Sequence, residues 1–569
     1  MPATRLTIAL NSNRSTKTIL VVPDASPAAP DAATSVRAQV LRTASTKLRL
    51  KLKKGASART FAARTGAELL SADDWTRACR PDAVLLVSAG EDFVGKKEEE
   101  EETDAPSSPN ASIANLAAAA YVDPAALAQL RATAALLPGV VHAAGQPDLH
   151  PGSRFPVGAV FVAAGWVHPP LIGGDVGCGM AWYRTGLARA QVDGERGRKV
   201  AERLRGLEGP WRGRAEREAW LGEAATAGEA WDRSLGTIGA GNHFAEIQVV
   251  ERVEEGVALR EGEVVLLVHS GSRGYGGDVL KRYTGDGQIS LREGDEVTRN
   301  YLEEHDRACR WAKANRDLIA LRFLSVLEPG EESWALGNND LECKDGGEEA
   351  VRVARQRLQS RKVVDIWHNN VQRVPWPPSA SPISDITSAT ASISLSSPED
   401  GQQHAYIHRK GAAPTLDPDT FEPLSILPLP GSRATPTAIL TPTFSTANAH
   451  GATNALSLAH GAGRAMSRAK ALASLSNKYK GDAEALLKPG KVAASAAAAA
   501  EMGMAKGEDR GVEKGAGTWV VCEEKQLVWE EAPEAYKDVW AVAADLVKAG
   551  AAEVRGWCAP RISYKVRNE

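Results

Sequence analysis

The sequence predicts an α+β fold with mixed sheets, preceded by a small β-grasp-like domain. Two observations predict it. Short apolar runs with strand character, such as Val264 to Val268 (VVLLV), alternate with helical stretches such as Glu303 to Leu318. A basic first segment is then cut off by an acidic, Pro/Ser-rich stretch from a longer part that holds every chemically suggestive motif. At 569 residues the chain exceeds what one core fills, so more than one domain is expected.

Along the chain, Met1 to Gly66 carries twelve basic residues against Asp24 and Asp31 alone. Within it Lys47 to Lys53 alternates Lys/Arg with leucine, the period of a strand with one basic face. Ala56 to Leu70 reads as a helix and Asp82 to Ser88 as a further strand, which together suggest the β-grasp-like domain over 1–96. An RNA-binding role for the basic stripe and a solvated sheet face are both open. Residues 97–112 (the Glu98–Glu102 run followed by APSSPNAS) form a linker, because such a segment cannot bury apolar surface. A second, larger domain then spans 113–569, with low-complexity surface insertions near 374–400 and 491–517.

Composition sets limits. The net charge of -3 excludes polyanion binding by bulk charge, so any nucleic-acid contact must be local. No apolar run approaches the length of a membrane span. Six scattered cysteines without a CxxC pair fit a reducing, cytoplasmic or nuclear location rather than a disulfide scaffold.

Five of the eleven histidines fall in compact Gly/Asn-rich or basic runs: GNHFAE (His243), VHSGSRG (His269), WHNN (His368), HRKGA (His408) and HGAGRAMSR (His460). GGDVGCGM adds Asp175 three residues before Cys178. Glycine flanks let a backbone approach a ligand closely, and Asp, Cys and His offer carboxylate, thiolate and imidazole to a divalent cation. By ligand type alone, one Cys with three His suggests zinc more than manganese. The strand Val264 to Val268 would deliver His269 at its C-terminal end, where SGSRGYGG can turn amides toward an anion. No P-loop or well-placed GxGxxG is present. His142, His168, His305, His404 and His450 carry no such signal, and His150 lies in QPDLHPG as a further pocket candidate.

In this order these motifs, with QPDLHPGSRFPVGAV upstream and EEAPEAYKD near the C-terminus, resemble the RtcB-type RNA ligase family over about residues 140 to 569. The resemblance implies an RtcB-like catalytic domain around a dinuclear metal cleft, working with GTP and two Mn²⁺ ions. It implies joining of RNA 3′-phosphate or 2′,3′-cyclic phosphate ends to 5′-hydroxyl ends, in tRNA splicing or RNA repair, with an archease-like activator as a candidate partner. His460 would attack GTP and carry the guanylate. Asp175, Cys178, His243, His269 and His368 would bind metal. Asn242, Glu246, Asn369, Ser432, Gly461, Ala462, Gly463, Arg464, Tyr536 and Lys565 would hold the nucleotide.

Departures from the family pattern keep other functions in view. In PGSRATPT, Ser432 matches, but the Met-Gly-Thr that follows it in the family is not reproduced. Ala459 stands where the family carries Cys, and Lys565 is matched to the family's terminal lysine only by guess. A metal-dependent phosphoesterase acting on RNA ends, and a non-catalytic RNA-binding relic, are therefore the alternatives.

Overall fold

The computed structural model describes residues 3–14, 16–23, 32–50, 57–63, 66–79, 83–94, 111–285, 287–339, 348–378, 404–418, 420–482, 487, 517–522 and 524–566. The linker expected at 97–112 falls mostly outside these residues, as do most of both low-complexity insertions. The chain divides into two compact units, 1–105 with 467–474, and 106–466 with 475–569.

In the first unit, strands Ala3–Leu10, Lys17–Pro23, Arg59–Ala62 and Ala83–Ser88 make one sheet. Its spatial order is second, first, fourth, third, with the first and fourth parallel. Helix Ala32–Lys47 forms because Val36, Val40 and Ala44 recur every fourth residue, and all three are buried beside Leu6, Ile8, Leu85 and Val87.

Two expectations fail in this unit. Lys47 ends a helix instead of opening a strand, and Arg49 takes a left-handed φ of 56°. Leu48 is buried and Leu50 packs on the same core, so the alternating leucines anchor a helix exit. Lys51 to Lys53 lie outside the described residues. The helix expected over Ala56 to Leu70 contains a strand instead. Its alanines favour a helix by propensity, but Phe61 pairs with Leu86 and is buried, and Arg59 grips Glu68 at 2.7 Å from the returning chain. Cross-strand pairing overrides the local preference.

The second unit is α+β with several sheets. Its largest sheet runs, in spatial order, Lys362–Trp367, Gly179–Ala188, Glu263–Ser270, Phe244–Val253, Ala552–Tyr564, Thr437–Pro442, Leu427–Pro430, all neighbours antiparallel. Strand Trp519–Val521 adds parallel to Ala552–Tyr564. A five-stranded sheet has the order Asn369–Pro375, His404–Lys410, Val157–Ala163, Val140–His150, Ser112–Asn115.

The run Val264 to Val268 shows how the large sheet is held. Val264, Leu266 and Val268 share a core with Leu318, Leu321 and Leu324 of the long helix Glu296–Leu327. Val265 and Leu267 point the other way, into a core with Val160, Val162 and Ile407 of the five-stranded sheet. All five are fully buried, which is why the run is continuously apolar instead of alternating. At about 2 kcal/mol for each side chain, their burial is on the order of 10 kcal/mol. That strand, and the histidine at its end, are therefore firmly placed.

Candidate active site

The large sheet assembles the site by register. Ser270 lies opposite Gly179, His269 opposite both Met180 and Phe244, and Trp367 opposite Gly179. Four neighbouring strands thus reach one level together. Cys178 precedes the first, His243 precedes Phe244, His269 sits near the end of its strand, and His368 follows Trp367. Adjacent strands are about 4.8 Å apart, so side chains at this level must meet.

They do. The Cys178 Sγ lies 3.2 Å from His243 Nε2 and 3.3 Å from His269 Nε2. His269 Nε2 is 3.0 Å from His368 Nε2, and His243 Nε2 is 2.7 Å from Asp175 Oδ2. Asp175 closes the set because Gly271 leaves room for it: a Cβ there would stand 2.2 Å from Asp175 Oδ1. One guanidinium braces the set from behind. Arg316, fully buried, bonds Asp365, the Gly177 carbonyl (2.9 Å) and the Ser270 carbonyl (3.0 Å). Asn369 adds a second brace, donating to the Asp175 carbonyl and accepting from the Gly411 amide.

The donor chemistry fits a divalent cation. His243 Nδ1 faces the Ile238 carbonyl at 2.9 Å, which can only accept, so Nδ1 carries the proton. Its Nε2 is then the ring atom that faces the Asp175 carboxylate and the Cys178 sulfur. Among the described residues, Asp175 Oδ1 and His269 Nδ1 are buried with no hydrogen-bond partner. Burial, with neighbouring histidines adding to it, pushes His269 and His368 well below the usual imidazole range. Burial and then the Asp175 charge push the Cys178 thiol well above its own. Crowded lone pairs on neutral imidazoles, a thiol and a carboxylate are what a cation would neutralise, and it would convert the thiol to thiolate.

His460 adjoins this cluster, its ring 4.6 Å from His368 and 6.4 Å from His269. Its Nδ1 bonds the fully buried Asp148 Oδ2 at 2.8 Å. With Nδ1–H given to the carboxylate, Nε2 keeps its lone pair free. Gly463 must be glycine: its φ is +70°, and a Cβ would meet the Asp148 carbonyl at 2.3 Å.

The residues expected to hold the nucleotide form a polar chain leading away from His460. The Ala462 amide bonds the Pro430 carbonyl (2.9 Å), which brings the Ser432 loop against His460–Ala462. Arg464 bonds Glu531 at 3.1 Å and stacks on Tyr536, whose hydroxyl also donates to Glu531. Lys565 reaches Glu531 at 3.5 Å and the Gly241 carbonyl at 3.0 Å, beside half-buried Asn242. Glu246 accepts from Gln248, and burial raises its carboxyl to about 7. In the altered loop, buried Arg433 donates to the Val528 carbonyl at 2.5 Å, and Ala434 keeps a left-handed φ of 65°.

One histidine belongs elsewhere. The His408 Nε2 accepts from the His168 amide at 2.8 Å, so it packs beside His168 and is not part of the cluster. Conversely, the sequence reading passed over Asp148, Glu531, Lys537 and Arg316. The first three stand inside QPDLHPG and EEAPEAYKD, so the runs flagged them without assigning a role. His150 lies behind Asp148, bonding its carbonyl, and burial lowers its imidazole to about 4.

Comparison with known proteins gives a consistent picture. The family model described as "tRNA-splicing ligase RtcB" matches residues 129–210, 211–344 and 348–506. The "RNA-splicing ligase RtcB2" of Escherichia coli is 30% identical over 439 residues, which is 76% of this chain and 89% of the relative. The "tRNA-splicing ligase RtcB" of Thermococcus kodakarensis is 26% identical over 62% of this chain and 78% of its own length. That of Methanococcus maripaludis is 25% identical over 72% and 85%. Among the described residues no helix is long and apolar enough to cross a membrane.

Proposed function

Because this chain belongs to the RtcB family, we propose that it is an RNA ligase that joins 3′-phosphate or 2′,3′-cyclic phosphate ends to 5′-hydroxyl ends, using GTP and Mn²⁺ through a guanylate on His460. The observation that carries this reading is the His460–Asp148 pair set beside the Cys/His cluster. Asp175, Cys178, His243, His269 and His368 would hold two ions, and bound cations would draw negative charge from the phosphates.

His460 Nε2 attacks the α-phosphorus of GTP, forming a P–N bond as pyrophosphate leaves. Asp148 holds the Nδ1 proton throughout and stabilises the positive charge that grows on the ring. Water first opens a 2′,3′-cyclic phosphate end to the 3′-phosphate; the guanylate then passes to that phosphate as His460 leaves, and the 5′-hydroxyl displaces GMP. Tyr536, Arg464, Lys565, Glu246, Asn242, Asn369 and Ser432 would line the nucleotide, with Gly461 to Gly463 passing close beneath it. The small first unit, with its second-first-fourth-third strand order, reads as a β-grasp-like module that precedes the catalytic domain.

Incubation with labelled GTP and Mn²⁺ is expected to give an acid-labile, base-stable adduct that His460→Ala abolishes. An undiminished adduct in that variant would overturn the assignment. Cyclic-phosphate hydrolysis without GTP, and no adduct, would favour the phosphoesterase reading instead.

The cation leaves a separate trace. Only the folded chain presents the ligand set, so Mn²⁺ at a hundred times its dissociation constant should add about 2.7 kcal/mol of stability. A thermal melt is expected to show this as a raised midpoint in wild type and little change in Cys178→Ala. An equal rise in both would put the ion elsewhere.

A further inference from the structure

The second unit contains a buried ammonium that the reaction outlined above does not use. Lys537 donates from Nζ to the Pro147 carbonyl at 3.0 Å and the Leu149 carbonyl at 2.7 Å. These are the two carbonyls that flank Asp148. The Lys537 amide bonds the Gly463 carbonyl at 3.0 Å, three residues beyond His460. One residue therefore ties the segment carrying the carboxylate to the segment carrying the histidine.

We propose that Lys537 is a positioning residue, fixing Asp148 so that it holds His460 in the tautomer with Nε2 unprotonated. The proposal rests on the reading of His460 as the group that takes the guanylate. Asp148 leaves little else to do this. Its Oδ2 takes His460, while Oδ1 is buried with no hydrogen-bond partner among the described residues. Gly158 fences the carboxylate closely, since a Cβ there would stand 2.6 Å from Oδ1. A buried carboxylate with one hydrogen bond needs a cation in reach, and a main chain that can rotate would let it turn away. Lys537 answers both needs: its charge interacts with Asp148, and its two carbonyl bonds stop the backbone from rotating. Burial lowers this ammonium to about 8, which still leaves it mostly charged at neutral pH.

Neither neighbour can replace it. His150 is taken up by the Asp148 carbonyl, and Arg464 by Glu531. The Lys537 side chain bonds the two carbonyls on either side of Asp148, so its effect on rate passes through Asp148.

The test uses the full chain in three forms: wild type, Lys537→Met and Lys537→Arg. Solid-state ¹⁵N spectra of histidine-labelled protein, loaded with diamagnetic Mg²⁺, report which ring nitrogen carries the proton. The His460 signal is identified by its loss in His460→Ala. Wild type should show protonated Nδ1 and bare Nε2, and Lys537→Met should show a mixture. The rate of guanylate formation should fall about a hundredfold in Lys537→Met, as expected for a misplaced catalytic pair. GTP affinity by equilibrium dialysis should stay within about threefold, because the pocket contacts are kept. Lys537→Arg, which keeps charge and donors, should recover most of the rate and the wild-type spectrum.

An unchanged His460 spectrum and rate in Lys537→Met would overturn the proposal. So would an equal loss of GTP affinity and rate that Lys537→Arg fails to rescue, since that marks a merely structural residue. If Lys537→Met does not fold, Lys537→Gln is read by the same criteria. The spectrum also separates this idea from the reading beneath it: no adduct at His460 in wild type defeats that reading, whereas the tautomer is measured without any reaction.

Discussion

Asp148→Asn is expected to slow guanylate formation on His460 by about 10⁴-fold, the loss seen when an imidazole is held in the wrong tautomer. The asparagine side chain fits the same space, so folding should survive. Its amide, however, can donate to His460 Nδ1 where the carboxylate accepts. The ring proton then moves to Nε2, the atom that must attack. GTP affinity should change little, since Asp148 is fully buried behind the ring. A time course of labelled adduct, with binding measured separately, checks this. A loss below about tenfold would show that the orientation of His460 comes from elsewhere.

The second large effect is on stability and metal binding together. Arg316→Met should cost about 3–5 kcal/mol, as removal of one partner from a buried ion pair does. The Asp365 carboxylate, whose side chain is 3% exposed, would keep Lys362 at 3.5 Å and the charge of Lys313 but lose its bonded guanidinium. The Gly177 and Ser270 carbonyls would also lose their shared donor. These flank Cys178 and His269, so a lower denaturation midpoint should come with weaker Mn²⁺ binding. Arg316→Met combined with Asp365→Leu should recover much of the stability, because the charge left unpaired is then gone. Equal destabilisation in the single and double variants would argue against the pair.

The pair also predicts a pH dependence. Burial would raise the Asp365 carboxyl, but Arg316, Lys362 and Lys313 hold it below the usual value. A depressed carboxyl contributes stability above its unfolded value of about 4, and that contribution is lost as pH falls through the lower, folded value. The acid limb of wild-type stability should therefore be steeper than that of the double variant.

Much of the site was legible because its chemistry is carried by unusual neighbours. Histidines flanked by glycine and asparagine, and Asp175 three residues before Cys178, stand out from a chain with few histidines. The continuous apolar run before His269 announced a strand buried on both faces. Asp148 was harder to read, since one carboxylate in a turn-rich run has no property that marks it as a partner for a histidine 312 residues away. Arg316 was harder still. A long helix with several arginines does not reveal which of them faces the ligand loops. His408 stands in an equally conspicuous run and was assigned no role by the resemblance; it packs against His168 instead. The first unit misled through alanine, whose helical preference over Ala56 to Leu70 is outweighed by a strand partner far along the chain.

The alignment of strand ends at Gly179, Phe244, His269 and Trp367 also limits how this sequence can change in length. A single residue inserted inside Glu263–Ser270 would carry His269 about 3.3 Å along the strand and turn its imidazole to the opposite face. No side-chain substitution could compensate, because every other ligand would remain in its old phase. Insertions and deletions within these four strands should therefore be lethal to the ligand set even where each residue is hydrophobic and well tolerated by the core. Length variation is confined to the connections between them, and a deep insertion scan should show four short silent zones separated by permissive ones.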